Sequence, residues 1–379
     1  MIRTRFVLPA FLTLALLPVL VAAGAAHAED GDARAPGPKP LFSYTGAFNA
    51  VVAGGRTQAG SYVHSLAAGV QVPISGDWSF TVQGGATAGY DLSKRVIGDV
   101  AGVQGPFNSG NALWLYELKL TYETKAQMVQ FGRIAAGDSL PGVKGMDQFV
   151  NSAFSSNGGA IAINDPGRKT TPTSTWGVLG RRTWDDLELR GGAFLSDPNR
   201  MTVGKHGLDF SARPADGVLG FAEAVKPVGD GLRAGVGAFV DSARTPTFDG
   251  RSERGDAGAY AWIERPPPEK GPGVSGFAMA QVAPGDEKNL QPLFLMAGGT
   301  WKGLNARRPE DSVSIGATTG RFSPKSGLRG WETALEANYR VTLSEHLGVR
   351  PDMEYVIAPG GRGGGKNALV LGVQVEASL

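Results

Sequence analysis

The stretch Trp331-Glu332-Thr333-Ala334-Leu335-Glu336-Ala337-Asn338-Tyr339-Arg340-Val341 decides the fold class. Its odd positions are apolar or small, and its even positions include Glu332, Glu336, Asn338 and Arg340. Successive side chains of a strand point to opposite faces, so this reads as about ten residues with hydrocarbon on one side and water on the other. The pattern returns twice before the chain ends. Val349, Met353, Tyr355 and Ile357 oppose Arg350, Asp352 and Glu354, and then Leu369, Leu371, Val373, Val375, Ala377 and Leu379 oppose Gln374, Glu376 and Ser378. Such strands suit an all-β fold, a transmembrane antiparallel β-barrel around an aqueous channel.

Working upstream, shorter runs carry the same alternation. Trp78, Phe80 and Val82 alternate with Ser79, Thr81 and Gln83; Trp114, Tyr116, Leu118, Leu120 and Tyr122 alternate with Leu115, Glu117, Lys119 and Thr121. Leu187 and Leu189 alternate with Glu188 and Arg190, and Val313, Ile315 and Ala317 with Ser314, Gly316 and Thr318. Glycine (56) and proline (24) are abundant in the 379 residues, as many turns require. The start of the chain differs. Arg3 and Arg5, an apolar run from Phe6 to about Ala26, and Ala26-His27-Ala28 before Glu29-Asp30 read as a signal peptide over residues 1–28, with an uncleaved anchor helix as the alternative. Residues 29–40 are polar and proline-rich, an expected disordered lead-in, and the barrel is expected over 41–379. Beyond the first segment no apolar run approaches the roughly 20 residues of a membrane helix. Insertion must therefore use strands, and only a closed barrel leaves no backbone group unpaired in lipid. At roughly 22 residues per strand and its share of loop, the chain has room for about sixteen.

Connections should alternate between short and long if one rim faces the periplasm and the other the exterior. Thr342 to His346 is short, while Arg321 to Gly330 and the Gly-rich Ala358 to Asn367 are long, which puts the C-terminus on the periplasmic side. The longest stretch without alternation runs from Ile134 to Lys169. It either folds inward as a constriction loop, with Asp138, Lys144, Asp147 and Asn151 lining the pore, or lies outside as a flap.

Motifs for other chemistries are weak. Gly137-Asp138-Ser139-Leu140 matches a short serine-hydrolase signature, yet none of His27, His64, His206 and His346 follows an Asp by three positions to supply the base. Gly360 to Lys366 nearly spells a phosphate-binding loop, but Asn367 stands where a hydroxyl is needed. The histidines lack metal-site spacing, cysteine is absent, and the pair Asp185-Asp186 sits at an expected turn. No enzyme activity, cofactor or metal is expected. A net charge of +2 without a long basic cluster argues against nucleic acid.

What is left is the chemistry of the wet face: Glu117, Lys119, Glu188, Arg190, Glu332, Glu336, Asn338, Arg340, Arg350, Asp352, Glu354, Gln374 and Glu376. Both signs occur together, unlike the like-charge rings of ion-selective pores. Interleaved donors and acceptors exchange water for hydroxyl hydrogen bonds at little net cost, which suits sugars. A wall that is merely hydrated and braced is the plainer reading of each residue, and a structural or adhesive barrel with a plugged lumen the plainer reading of the whole.

Several stretches together resemble a known family. In order they are Tyr44 to Asn49 with Gly54-Gly55, Ile97-Gly98-Asp99 with Gln104-Gly105, Leu115-Tyr116-Glu117, Phe149-Val150-Asn151-Ser152 with Phe154, and Gly192-Ala193-Phe194 before Asp197-Pro198. Then follow Gly207-Leu208-Asp209-Phe210, Gly320-Arg321-Phe322, Glu332 to Arg340, Arg350 to Ile357 with Pro359-Gly360-Gly361, and Asn367 to Gly372. The chain is similar in these to the carbohydrate-selective outer-membrane porins (OprB-like). The resemblance implies a sixteen-stranded barrel in the bacterial outer membrane that passes mono- and small oligosaccharides passively, with inward loops forming a constriction. It implies that Glu117 and the Phe149 to Phe154 segment lie in or near the pore; if the Ile134 to Lys169 loop folds inward, an aromatic such as Phe149 or Phe154 is expected against a sugar's apolar face. Sugars are then the permeants, outer-membrane lipid and the outer-membrane assembly machinery the partners, and association of three barrels into a homotrimer stays open. General diffusion without sugar preference is the alternative function. Two departures from the family are the final Leu379, where an aromatic is usual, and the short proline-rich stretch before Leu41.

Overall fold

The computed structural model describes residues 37–107, 110–138, 140–154, 159–165, 173–196, 205–211 and 217–379. The signal peptide over 1–28, most of the lead-in over 29–40, Ser139 of the hydrolase-like signature and the Asp197-Pro198 pair lie outside the described residues.

Sixteen strands close into one antiparallel barrel. They are β1 (Lys39–Ala53), β2 (Gly60–Ser75), β3 (Trp78–Gly89), β4 (Ala112–Glu123), β5 (Gln127–Ile134), β6 (Thr175–Trp184), β7 (Leu187–Ser196) and β8 (Gly217–Gly229). The second half comprises β9 (Leu232–Pro246), β10 (Ser252–Arg265), β11 (Gly273–Val282), β12 (Leu293–Lys302), β13 (Ser312–Arg321), β14 (Trp331–Ser344), β15 (Leu347–Ile357) and β16 (Ala368–Ser378). Each pairs with its sequence neighbours, and β1 closes on β16. Closure leaves the sheet without an open edge, the condition for strands in lipid. Among the described residues no helix is long and apolar enough to cross a membrane.

One rim carries two- and three-residue turns at 76–77, 124–126, 185–186, 230–231 and 345–346, with longer connections at 266–272 and 303–311. The other rim carries the long excursions 90–111, 135–174 and 358–367. This is the asymmetry of a barrel with a periplasmic and an extracellular end.

The alternation of β14 to β16 is as expected: Leu335, Met353, Leu371 and Val373 are exposed on the outside, and Glu336, Asp352, Glu354 and Gln374 face in. Elsewhere the structure departs from it. In β4 an extra residue, Tyr116, bulges between the pairs Gln83–Glu117 and Gly84–Leu115. A bulge reverses the phase of the strand. Trp114, expected on the lipid face with Leu118, is therefore buried inside, and Leu113 is exposed outside. From β8 to β12 the inner face is not wet. Phe221, Phe239, Tyr260, Trp262, Phe277, Met279, Phe294 and Met296 point inward into one apolar cluster, while Ala222, Ala238, Ala257, Ala259, Ala261, Ala278 and Ala280 face out. The lumen is thus divided into an apolar arc that serves as a core and a polar arc.

Candidate functional site

The connection between β5 and β6 folds inward and fills the apolar arc. Leu140, Val143, Met146, Phe149, Ala153, Phe154, Ala160 and Ile161 join the inward side chains of β7 to β12 in that cluster. Of the two readings of Ile134 to Lys169, the inward one holds for the described residues of the stretch.

Its seat is a single row of side chains running around the wall. Cross-strand pairing links Arg233 to Glu264, Glu264 to Phe277, Phe277 to Gly298, Gly298 to Gly316, Gly316 to Glu336 and Glu336 to Glu354. The carboxylates of this row accept the loop's backbone amides. Gly145 donates to Glu264 at 3.0 Å, Val150 and Asn151 to Glu336 at 2.8 and 2.9 Å, and the Asn151 side chain to Glu354 at 2.5 Å. Off this row, Glu223 of β8 accepts from Gly142 at 3.2 Å, and Arg233 donates to the Gly142 carbonyl at 2.6 Å. Between the carboxylates the row is bare at Gly298 and Gly316, and the rings of Phe149 and Phe154 fill that space, stacked 4.3 Å apart and edge-on to Phe277. A Cβ on Gly316 would lie 2.6 Å from Phe149 and 2.9 Å from Phe154; one on Gly298 would lie 2.5 Å from Phe149. Both ends of the interaction are thus built in: acceptors where the loop offers N–H groups, and no side chain where it offers rings.

A second inward segment, in the connection between β3 and β4, docks beside the first. Glu332 accepts from Val100 at 2.8 Å, Ala101 at 2.7 Å and Gly360 at 2.6 Å, so one carboxylate gathers two connections. Leu92, Val96, Ile97 and Val103 pack there against Val51, Val356 and Val370. The phosphate-loop-like stretch from Gly360 forms part of this packing at the rim.

Several expectations are corrected by these contacts. Glu332, Glu336, Asn338, Arg350, Asp352 and Glu354 face inward but are buried beneath the two segments, so they do not line the open lumen. Glu336 is 2% exposed and Glu354 fully buried. Phe154 is fully buried and Phe149 nearly so; neither ring is offered to a sugar, because both are consumed in packing the loop to the wall. Asn151 is spent on Glu354. The backbone of Asp138 is described within a short 3-10 turn, its side chain is not.

The residues that keep access to the lumen lie on the polar arc and on the loop's free side. Lys144 and Asp147 are exposed. Glu117, itself nearly buried, pairs with Lys119 at 2.6 Å, Glu188 with Arg190 at 2.5 Å, and Glu376 with Arg340 and with the buried Arg350, both at 3.1 Å. Arg350 also donates towards the Phe149 carbonyl at 3.4 Å, and so joins loop to wall. Between the loop and β1, β2, β15 and β16 is a cavity of about 260 Å³ lined by Thr45, Ser65, Asp147, Arg350, Gln374 and Glu376, with Pro106 and Asn151. Asp147 is reached by solvent but ringed by protein. Restricted hydration pushes its carboxyl up to about 6, against the attraction of Arg350. Burial does the same to Asp99 in the second segment, also to about 6, although Gly102 and Ser93 donate to it.

Glu223, Arg233 and Glu264 carry no mark in the sequence of the part they play here. Glu223 and Glu264 lie among aromatic inward neighbours, so polarity did not mark their face; the alternation of large and small residues in Ala259-Tyr260-Ala261-Trp262 was the usable signal. The stretch Gly207 to Phe210 also has a visible task. β4 and β5 pair only from Leu118 to Glu123, and above them Leu115 donates to the His206 carbonyl at 2.8 Å, while Arg133 reaches the carbonyls of Asp209 and Ser174, both at 2.9 Å. The segment closes a seam in the wall.

A family model described as carbohydrate-selective porin, OprB family, matches residues 76–379. Among curated proteins no match was found. The high-pH structure of Pseudomonas putida OprB aligns with a TM-score of 0.80 at 21% identity, over 90% of this chain and 94% of that one. Salmonella typhi OmpF in complex with daunomycin gives 0.58 at 11% identity over 89% and 97%, and the outer-membrane channel DcaP of Acinetobacter baumannii 0.52 at 12% over 93% and 100%. At such identities these structures establish the closed porin fold, and the family match adds the lineage. This chain, with its sixteen-stranded barrel and inward-folded loop, belongs to the carbohydrate-selective OprB porin family of the bacterial outer membrane.

Proposed function

We propose that saccharides pass by facilitated diffusion along the polar arc, and that the cavity facing Asp147 is the narrow, selective part of the path. The observation that supports this most is its lining: Thr45, Ser65, Gln374, Glu376 and Arg350 set donors and acceptors of both signs within a space of about 260 Å³. A neutral polyol can trade its water hydrogen bonds for these at small net cost, whereas no single-sign field favours an ion. Lys119, Glu117, Glu188, Arg190 and Arg340 extend the same surface along the wall. The protein acts as a channel, with no covalent step, cofactor or energy coupling assigned to it.

Liposome swelling with a series of mono-, di- and trisaccharides tests this. Replacing Gln374 and Ser65 with Ala should change monosaccharide rates several-fold, about the effect of one hydrogen bond of ~1 kcal/mol, and leave KCl conductance nearly unchanged. Variants that alter salt and sugar flux in equal proportion would contradict the assignment. In the same reading residues 1–28 direct export and are removed, the assembly machinery inserts the barrel into lipid, and sequencing the N-terminus of the mature protein checks the first of these steps.

A further inference from the structure

On the outside of the barrel, Arg244 of β9 and Arg254 of β10 stand directly opposite each other as register partners. Both are exposed; Ala243 and Thr245 on either side of Arg244 are buried inward, so Arg244 projects away from the lumen, and Arg254 shares that side as its register partner, because the β-bulge between Arg254 and Asp256 breaks the alternation that would otherwise place it with the inward Asp256. The connection 247–251 that follows β9 lies on the rim of the long excursions, the extracellular one. Below the pair the outward residues are Val240, Ala238 and Val236 on β9 and Ala257, Ala259, Ala261 and Ile263 on β10. The two arginines therefore cap the lipid-facing column where hydrocarbon gives way to headgroups.

Like charges directly opposite on neighbouring strands destabilise the pair they sit on. Among the described residues neither arginine forms an ion pair; nearby Arg251 is matched instead by Asp249 at 2.5 Å, Asp241 and Asp256 point into the barrel, and Glu253 beside Arg254 is the register partner of the inward Thr245 and acts on Arg251. A tetrahedral dianion would reverse the sign of this interaction. Two guanidinium forks about 5 Å apart at Cβ can each hold two phosphate oxygens. At the membrane interface this attraction is screened less than in bulk water. A second copy of this chain is a poorer occupant, since it would have to bring two carboxylates to the same point against an otherwise alanine-lined face.

We propose that Arg244 and Arg254 form a docking site for the phosphate-bearing headgroup of an outer-leaflet glycolipid, whose acyl chains lie along the Val236 to Val240 and Ala257 to Ile263 column. The small outward side chains of that column leave a smooth strip on which straight chains can pack.

The test uses the purified full-length protein in detergent, with native mass spectrometry of bound diphosphoryl lipid A, its monophosphoryl form and its dephosphorylated form. Wild type should retain the diphosphoryl form roughly tenfold more tightly than R244Q/R254Q, R244K/R254K should fall between them, and raising ionic strength should weaken retention. R265Q, an outward arginine at the opposite end of β10, should behave as wild type. Heat-modifiable migration on gels and unchanged sugar flux in all variants establish that each barrel is folded, independently of how sugars are selected. Equal retention by wild type and R244Q/R254Q overturns the site. So does retention that ignores the phosphates, competition by inorganic phosphate at matching concentration, or a loss of cross-linked oligomers without loss of lipid.

Discussion

At the scale of single residues, Glu336 shows how position and role separate. Its inward orientation was legible from two-residue periodicity, but its role depends on amides 186 and 185 residues away in sequence, which no local pattern encodes. Replacing Glu336 with Ala leaves the Val150 and Asn151 N–H groups unsatisfied, at a cost of about 1–3 kcal/mol each if they stay buried. The expected outcome is a loosened loop: higher single-channel conductance and faster proteolysis within residues 140–154, with heat-modifiable migration of the barrel retained. Conductance equal to wild type would contradict the bracing role. Asp147 supplies a pH dependence. Its carboxyl titrates at about 6 in the folded protein against an ordinary 3.8, so the folded state binds the proton more tightly than the unfolded one. Its stabilising contribution is complete below about pH 4 and is lost as pH rises to about 6. Amide protection in residues 140–154, corrected for intrinsic exchange, should decline over that window, and Asp147→Asn should flatten part of the decline; identical profiles would exclude Asp147 as a cause.

At the scale of elements, legibility depended on what each strand's inner face meets. β14 to β16 announced themselves because their inner side chains are polar and their outer ones apolar. β8 to β12 did not, since the loop they carry is apolar and both faces of the wall are therefore apolar; only the contrast of large inside against small outside separates them. β4 misled by one residue, as Tyr116 bulges and moves Trp114 to the interior. The bare positions of the loop's seat offer the sharpest test. Gly316→Ala should push against Phe149 and Phe154 at a cost of about 1–3 kcal/mol for overpacking, widen the channel, and leave barrel assembly intact. Gly84→Ala, whose added Cβ would come no closer than 3.7 Å to any atom, serves as the control. A conductance change in Gly84→Ala matching that in Gly316→Ala would point to a general effect of altering wall glycines.

At the scale of the whole molecule, closure, strand number and the two unlike rims were readable from spacing alone, because the demand that lipid-exposed backbone be paired admits few solutions. The division of the lumen was not, since it arises from a loop meeting strands distant in sequence. The lipid face responds on its own terms: Leu335→Arg, on the outside of β14, should destabilise the inserted barrel by ~2–4 kcal/mol if it sits near the midplane. Equilibrium unfolding in lipid vesicles measures this, and a cost near zero would place Leu335 away from hydrocarbon.

The partners of the inward loop have a further implication for how the channel comes into being. The loop is encoded between β5 and β6, yet its acceptors and sockets belong to β8, β10, β12, β13, β14 and β15. Its berth is complete only when nearly the entire cylinder has been laid down. Such a tube is born at wide bore and acquires its calibre last, so a newly inserted molecule should pass through a brief leaky infancy before it becomes discriminating.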